Sequence, residues 1–258
     1  MSTILSLGDS GVSTLQLILA KQGFDCGEDV VTRIFGLSTQ SEVKLFQACH
    51  IDSNGKSLVV DGIVGPDTWW ALYHPTDSIQ HQLVEDMPIQ QASNPIAQAA
   101  LDSAWAELRK GIKECPDGSN RGSEIDLYTG MSGKPVSMVG PRWCAYFVSW
   151  NFAKSPGGSP FGRIGGAQSI VFWCQKHIPD SVIMRDANTP FFPKPGDIAI
   201  IAENQTHGHV VHVAAAWKGF CWTVEGNCGN AVRTRKLPVL SFRYIVNFDN
   251  VARVRGLM

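Results

Sequence analysis

The chain has 258 residues, 44% hydrophobic and 17% charged, with a net charge of −1. This is enough apolar material for one large domain or two modest ones, and the charge balance speaks against a nucleic-acid partner, which calls for a basic excess. No apolar run approaches the ~18 residues that cross a bilayer, so no membrane partner is expected. Met1–Asp9 has no Lys or Arg and no 7–15-residue apolar core, so no cleaved secretory signal is expected. The seven cysteines include no C-x-x-C pair, which argues against a structural zinc site and for free thiols.

In chain order, the first predicted element is a helix over about 11–22, with Leu15, Ile18 and Leu19 on one face. A two-fold repeat follows. Val30–Thr39 aligns with Val59–Thr68, each copy an extended segment, a Gly turn and a helix start. Ser38 or Thr39 can cap the first of these helices, Thr39 and Glu42 having capping-box spacing, and Asp67 or Thr68 the second. Val43, Phe46 and Cys49, then Trp69 and Leu72, supply the apolar faces. The expected product is a small three-helix module over 1–73.

The residues Leu7-Gly8-Asp9-Ser10-Gly11, Leu15-Gln16, Gly23-Phe24, Ile34-Phe35-Gly36, Phe46-Gln47 and Asp61-Gly62-Ile63-Val64-Gly65-Pro66-Asp67-Thr68-Trp69 resemble the type 1 peptidoglycan-binding domain. The resemblance spans roughly 5–73. It departs at Val31-Thr32-Arg33, where Val-Asp-Gly is usual, and at Ile51–Ser57, which reads as an insertion. It implies bacterial peptidoglycan as the partner.

Residues 74–95 read as a polar linker bounded by prolines. A helix is predicted over about 96–114, with Ala100, Ala104, Leu108 and Ile112 repeating every four residues. From 115 to 140 the chain is rich in Gly, Ser, Asn and Pro. Helices are predicted near 144–154 and 166–177. Strands follow at Ile198–Ile201, His209–Trp217 and Phe220–Glu225, the last two joined by a Lys218-Gly219 turn, then at Tyr244–Phe248 and Val251–Val254. Helices first and strands later indicate an α+β domain over 96–258 with an antiparallel sheet.

The most chemical stretch is Pro141-Arg142-Trp143-Cys144-Ala145-Tyr146-Phe147. A cysteine at a helix start meets the first-turn N–H groups and the positive end of the helix dipole, which stabilise a thiolate. A thiolate nucleophile needs a base, usually His held by a third polar group. His207, His209 and His212 lie together at the start of a strand, and Glu225-Gly226-Asn227 ends its hairpin partner. Glu225 or Asn227 can therefore orient an imidazole. Alternation places His209 and His212 on opposite faces, so only one is expected to face Cys144. A rival reading takes the three histidines as zinc ligands, but no nearby carboxylate completes such a set. No metal and no cofactor are expected. Asp126 and Asp186 do not form the dense run a calcium site needs, and Trp69, Trp70, Trp173 and Trp222 fit core packing better than sugar stacking.

Trp143–Trp150, Pro195-Gly196-Asp197-Ile198, Gly208-His209-Val210 and Glu225-Gly226-Asn227, in this order, resemble the CHAP domain, the cysteine- and histidine-dependent amidohydrolase/peptidase related to papain-like and NlpC-type hydrolases. Asn120–Ile125 and Tyr128 look like the segment that often precedes its cysteine. The resemblance spans roughly 100–255 and implies Cys144 as nucleophile, His209 as base with His212 the alternative, and Glu225 or Asn227 as orienter. The Cys144 N–H would supply one oxyanion donor; the sequence identifies no second donor and no substrate-binding residue. Together the two resemblances imply a monomeric peptidoglycan hydrolase, an endopeptidase or N-acetylmuramoyl-L-alanine amidase. A phage-type endolysin, held in the cytoplasm until released to the wall, is the leading expectation. The alternatives are a secreted antibacterial effector of the same chemistry and a non-catalytic wall-binding protein.

Overall fold

The computed structural model describes residues 9–249 except Gly23, Asp25, 27–28, 30–32, Ser57, 75–86, Val136, 187–190 and 203–207. The chain divides into two compact units, Met1–Gln80 and His81–Met258. Residues 30–32 of the first repeat copy, His207 and the expected strand at 251–254 lie outside the described residues.

The N-terminal unit holds three helices among its described residues: α1 (Asp9–Lys21), α2 (Leu37–Cys49) and α3 (Pro66–Tyr73). Leu15, Leu19, Phe24, Val43, Phe46, Ala71 and Leu72 form its core. The repeat is written in buried amides rather than in caps. Gln16 Nε2 donates to Ile34 O and Thr39 Oγ1, both at 3.0 Å. One copy on, Gln47 Nε2 donates to Ile63 O at 2.9 Å and Thr68 Oγ1 at 3.2 Å. These bonds correct the capping expectation. Thr39 and Thr68 turn inward to the glutamines, Gly36 and Gly65 are the N-cap residues, and neither helix has a side-chain cap. Asp29 reaches across instead, accepting the Thr39 N–H at 2.8 Å. Arg33 (φ 56°) holds the left-handed turn that Gly62 (φ 77°) holds in the second copy, so the turn survives where the motif does not. In the inserted segment, Asp52 Oδ1 accepts from the N–H groups of Asn54 and Lys56 and closes a compact loop.

The C-terminal unit is α+β. Its helices are α4 (Pro95–Arg109), α5 (Ser123–Thr129), α6 (Cys144–Ala153) and α7 (Ala167–His177). Asn94 caps α4, accepting the Ala97 N–H at 2.9 Å, with Pro95 preset for the first turn. This helix stops short of the expected residue 114: Gly111 takes a left-handed φ of 66°, and Ile112 is buried beyond the helix end. Residues 87–94, within the segment read as linker, bond to this unit, for Gln90 exchanges two hydrogen bonds with the Ala216 backbone.

The strands are β1 (Val182–Met184), β2 (Ile198–Ala202), β3 (Gly208–Trp217), β4 (Phe220–Cys228), β5 (Ala231–Pro238) and β6 (Tyr244–Val246). They form one antiparallel sheet in the order β1-β6-β2-β3-β4-β5. Helix α6 is apolar nearly all round, with Cys144, Ala145, Phe147, Val148, Asn151 and Phe152 buried, as a central helix must be. It packs between α4 and the β3–β4 ribbon. The strands β1 and β5 were not expected. In β5 the charges of Arg233, Arg235 and Lys236 hide the alternation, although Arg235 is in phase with the buried Leu237.

Candidate active site

Cys144 is the first residue of α6, and the N-cap residue Trp143 offers no side-chain cap. The first-turn N–H groups are therefore open to an anion, as the sequence implied. Cys144 is 7% exposed, enclosed but reachable. Burial alone would raise its thiol pKa. The hydrogen bond and charge of His209, the Val210 N–H and the charge of Arg142 outweigh it and hold the thiol below its usual value.

His209, near the start of β3, shares that hydrogen bond with Cys144. Its Nε2 lies 2.8 Å from Glu225 Oε2, which leaves Nδ1 for the thiol. Burial pulls its pKa down, but Cys144 and Glu225 together push it up to about 10. The thiol is lowered and the imidazole raised, the two directions that favour a thiolate–imidazolium pair.

Glu225 is fully buried on β4. Burial would keep its carboxyl protonated; the Arg235 guanidinium, then His209, overcome this and bring it down to about 2. Arg235 Nε donates to Oε1 at 2.9 Å, while Arg235 Nη2 donates to Oε2 and the Thr223 hydroxyl to Oε1. The carboxylate so held is both counter-ion and orienter for the imidazolium. Sequence reasoning missed Arg235, whose strand it did not expect.

Of the two candidates for orienter, only Glu225 meets His209. Asn227, two residues on, donates through Nδ2 to Asn120 Oδ1 at 3.3 Å. His212 does not reach Cys144. Its ring is buried against Phe147 and Phe152 of α6, its Nε2 lies 3.3 Å from Asn151 Nδ2, and burial pushes its pKa down to about 3. The sheet face that carries His212 is thus a packed one, and the ring is core.

The remaining candidates have structural partners. Asp126 accepts two hydrogen bonds from the buried Arg121, whose remaining N–H groups hold the carbonyls of Met131, Lys134, Pro135 and Met138 in the loop before Cys144. Trp69 stacks on Tyr73, Trp70 on His74 and Trp173 on His177, and Trp222 lies under Lys236 Nζ. Asp186 is exposed near the end of β1. Among the described residues no three His, Cys, Asp or Glu side chains are grouped to hold a metal.

Residues 8–72 match the family model described as "Putative peptidoglycan binding domain". That span is the N-terminal unit, and the similarity points to association with the cell wall. No curated protein and no solved structure matches the chain. The described helices include none long and apolar enough to cross a membrane.

Proposed function

We propose that the chain is a wall-tethered cysteine amidohydrolase that cleaves an amide in peptidoglycan peptides, its C-terminal unit a CHAP-like, papain-related domain. The observation that carries this reading is the buried Cys144–His209–Glu225 line, anchored by Arg235, with the sulfur at a helix N-terminus. A structural cysteine needs no ion pair, and a buried ion pair adds little net stability, so one placed beside a thiol favours a chemical role.

In the reaction, Cys144 Sγ adds to the amide carbon and the carbonyl electron pair moves to oxygen. The C–N bond then breaks, and His209 gives its proton to the departing amine. The resulting thioester is attacked by water, which His209 deprotonates, and Cys144 leaves as thiolate. Glu225 stays ionised throughout and stabilises the imidazolium. The N-terminal unit holds the enzyme on its substrate, so a high local concentration offsets modest affinity for a single stem peptide. An endolysin-type role, kept in the cytoplasm until the wall is reached, fits this arrangement.

Purified protein on isolated walls, with new amino groups measured, tests the reading. Cys144→Ala is expected to lower the rate by about 10³-fold or more, and mass spectrometry of the digest identifies the bond cut. Walls digested equally by wild type and Cys144→Ala would falsify it. The pH profile of kcat/KM carries a sign: activity rises as Cys144 ionises, below the usual thiol value, and falls as His209 loses its proton near about 10.

A further inference from the structure

The triad does not use the pair of asparagines beside it. Asn120 (φ 53°) and Asn227 (φ 57°) both hold left-handed backbone. Asparagine adopts this region more readily than most residues, and non-glycine residues held in it gather at functional sites. The two meet through the Asn227 Nδ2 to Asn120 Oδ1 bond of 3.3 Å. That bond occupies the acceptor end of the Asn120 carboxamide and leaves its Nδ2 as a free donor on a half-buried side chain.

Both residues are tied to the start of the nucleophile's helix. Glu114, 4% exposed, accepts the Asn120 N–H on Oε2 at 2.8 Å and the Trp143 indole N–H on Oε1 at 2.9 Å. Trp143 immediately precedes Cys144. The Asn120 carbonyl presses on Gly140, where any Cβ would collide with it. On the other side, a Cβ on Gly226 would lie 2.5 Å from Phe147 Cβ and 2.9 Å from the Trp143 ring. Backbone between Glu225 and Asn227 therefore crosses the first turn of α6 in direct contact.

An attacked carbonyl gains a negative oxygen, and preorganised donors for that oxygen are among the largest contributions to acyl transfer. The Cys144 N–H is one donor. We propose that Asn120 Nδ2 is the second, donating to the scissile carbonyl oxygen as Sγ adds to its carbon, and that Asn227 is a positioning residue that orients this carboxamide. Asn120 gains and loses no proton; its dipole serves the oxygen while the charge is there. This assignment rests on the hydrolase reading above. It also gives the asparagine pair a purpose, because the Asn227 bond fixes which end of the Asn120 amide faces outward.

Asn120→Gly is the direct test, since glycine accepts a φ of 53° and removes only the carboxamide. The expected result is a kcat about 10²-fold lower with KM little changed. The thermal midpoint and the rate of Cys144 alkylation by iodoacetamide should match wild type, because Cys144, His209 and Glu225 are untouched. Asn227→Gly should lose less, and the double variant no more than Asn120→Gly alone, as expected of one coupled unit. Asn120→Gly with wild-type kcat overturns the assignment, as does a kcat loss matched by slower alkylation. Cys144→Ala is assayed alongside. If it stays active, the hydrolase reading itself falls; if it is dead while Asn120→Gly is fully active, only the oxyanion assignment falls.

Discussion

The two units bury polar groups for different ends. In the N-terminal unit Gln16 and Gln47, neutral amides at 1% and 2% exposure, bind backbone carbonyls and threonine hydroxyls within their own unit, where Glu42 and His50 are buried too. The two glutamines hold two copies of a turn in the same shape. The C-terminal unit also buries a connected ionisable set: Glu225 at 0%, Arg235 at 1% and His209 at 5% exposure. A neutral amide makes a cheap strut, because it loses little hydration and its bonds are easily matched. A buried charge is a poor strut, because desolvation offsets much of the Coulombic gain. That difference is why the proposed chemistry is assigned to the Cys144–His209–Glu225 set of the second unit.

The comparison breaks most visibly at Arg235. Arg235→Met leaves Glu225 buried without its main counter-charge, and a loss of about 3–5 kcal/mol is expected, read as a lower denaturation midpoint. Glu225 should then hold its proton more readily, and Cys144 alkylation at neutral pH should slow because His209 loses its partner. A melting curve at the wild-type position would deny Arg235 this role.

His212 sharpens the same contrast in acid. Its folded pKa is depressed to about 3, so the neutral ring contributes stability that is present above the unfolded value near 6.5 and is lost as the pH falls toward 3. His212→Gln keeps a polar partner for Asn151 and cannot protonate. Acid unfolding in that window should become shallower by a few kcal/mol, while hydrolysis at neutral pH persists. An equally steep acid limb in the variant would show that another group carries it.

The smallest expected effect is in the amide struts. Gln47→Ala strands the bonding groups of Ile63, Thr68 and Gly62, with a loss of about 1–3 kcal/mol. Binding to purified walls should weaken as that unit loosens, while hydrolysis of a small soluble muropeptide should be untouched. A fall in soluble-substrate kcat would contradict the division of labour.

Much of the architecture was legible in the residues. Helical spacing located α1 and α4, the Lys218-Gly219 turn announced the β3–β4 hairpin, and Cys144 behind Gly140-Pro141 stood at its helix start. Other features were hidden by mixed signals. Thr39-x-x-Glu42 has capping-box spacing, yet a long-range amide bond to Gln16 claimed the threonine. The charges of β5 masked a strand whose Arg235 points inward to a carboxylate. Short α5 was lost in a Gly- and Ser-rich stretch, although Arg121 with Asp126 fixes it.

By itself the sequence determined which residue types were available and their local settings: a thiol at a helix start, a histidine at a strand start, carboxylate and amide at the end of the next strand, and a repeated turn. Periodicity, turn chemistry and caps are local, so they are written locally. Only the tertiary structure decided that Glu225 rather than Asn227 meets His209, that His212 is core, that Arg235 completes the line, and that Asn120 and Asn227 bond to each other, with Glu114 joining Asn120 to Trp143. Those choices depend on strand register and on backbone contacts between residues as many as 107 positions apart, and no local pattern encodes them.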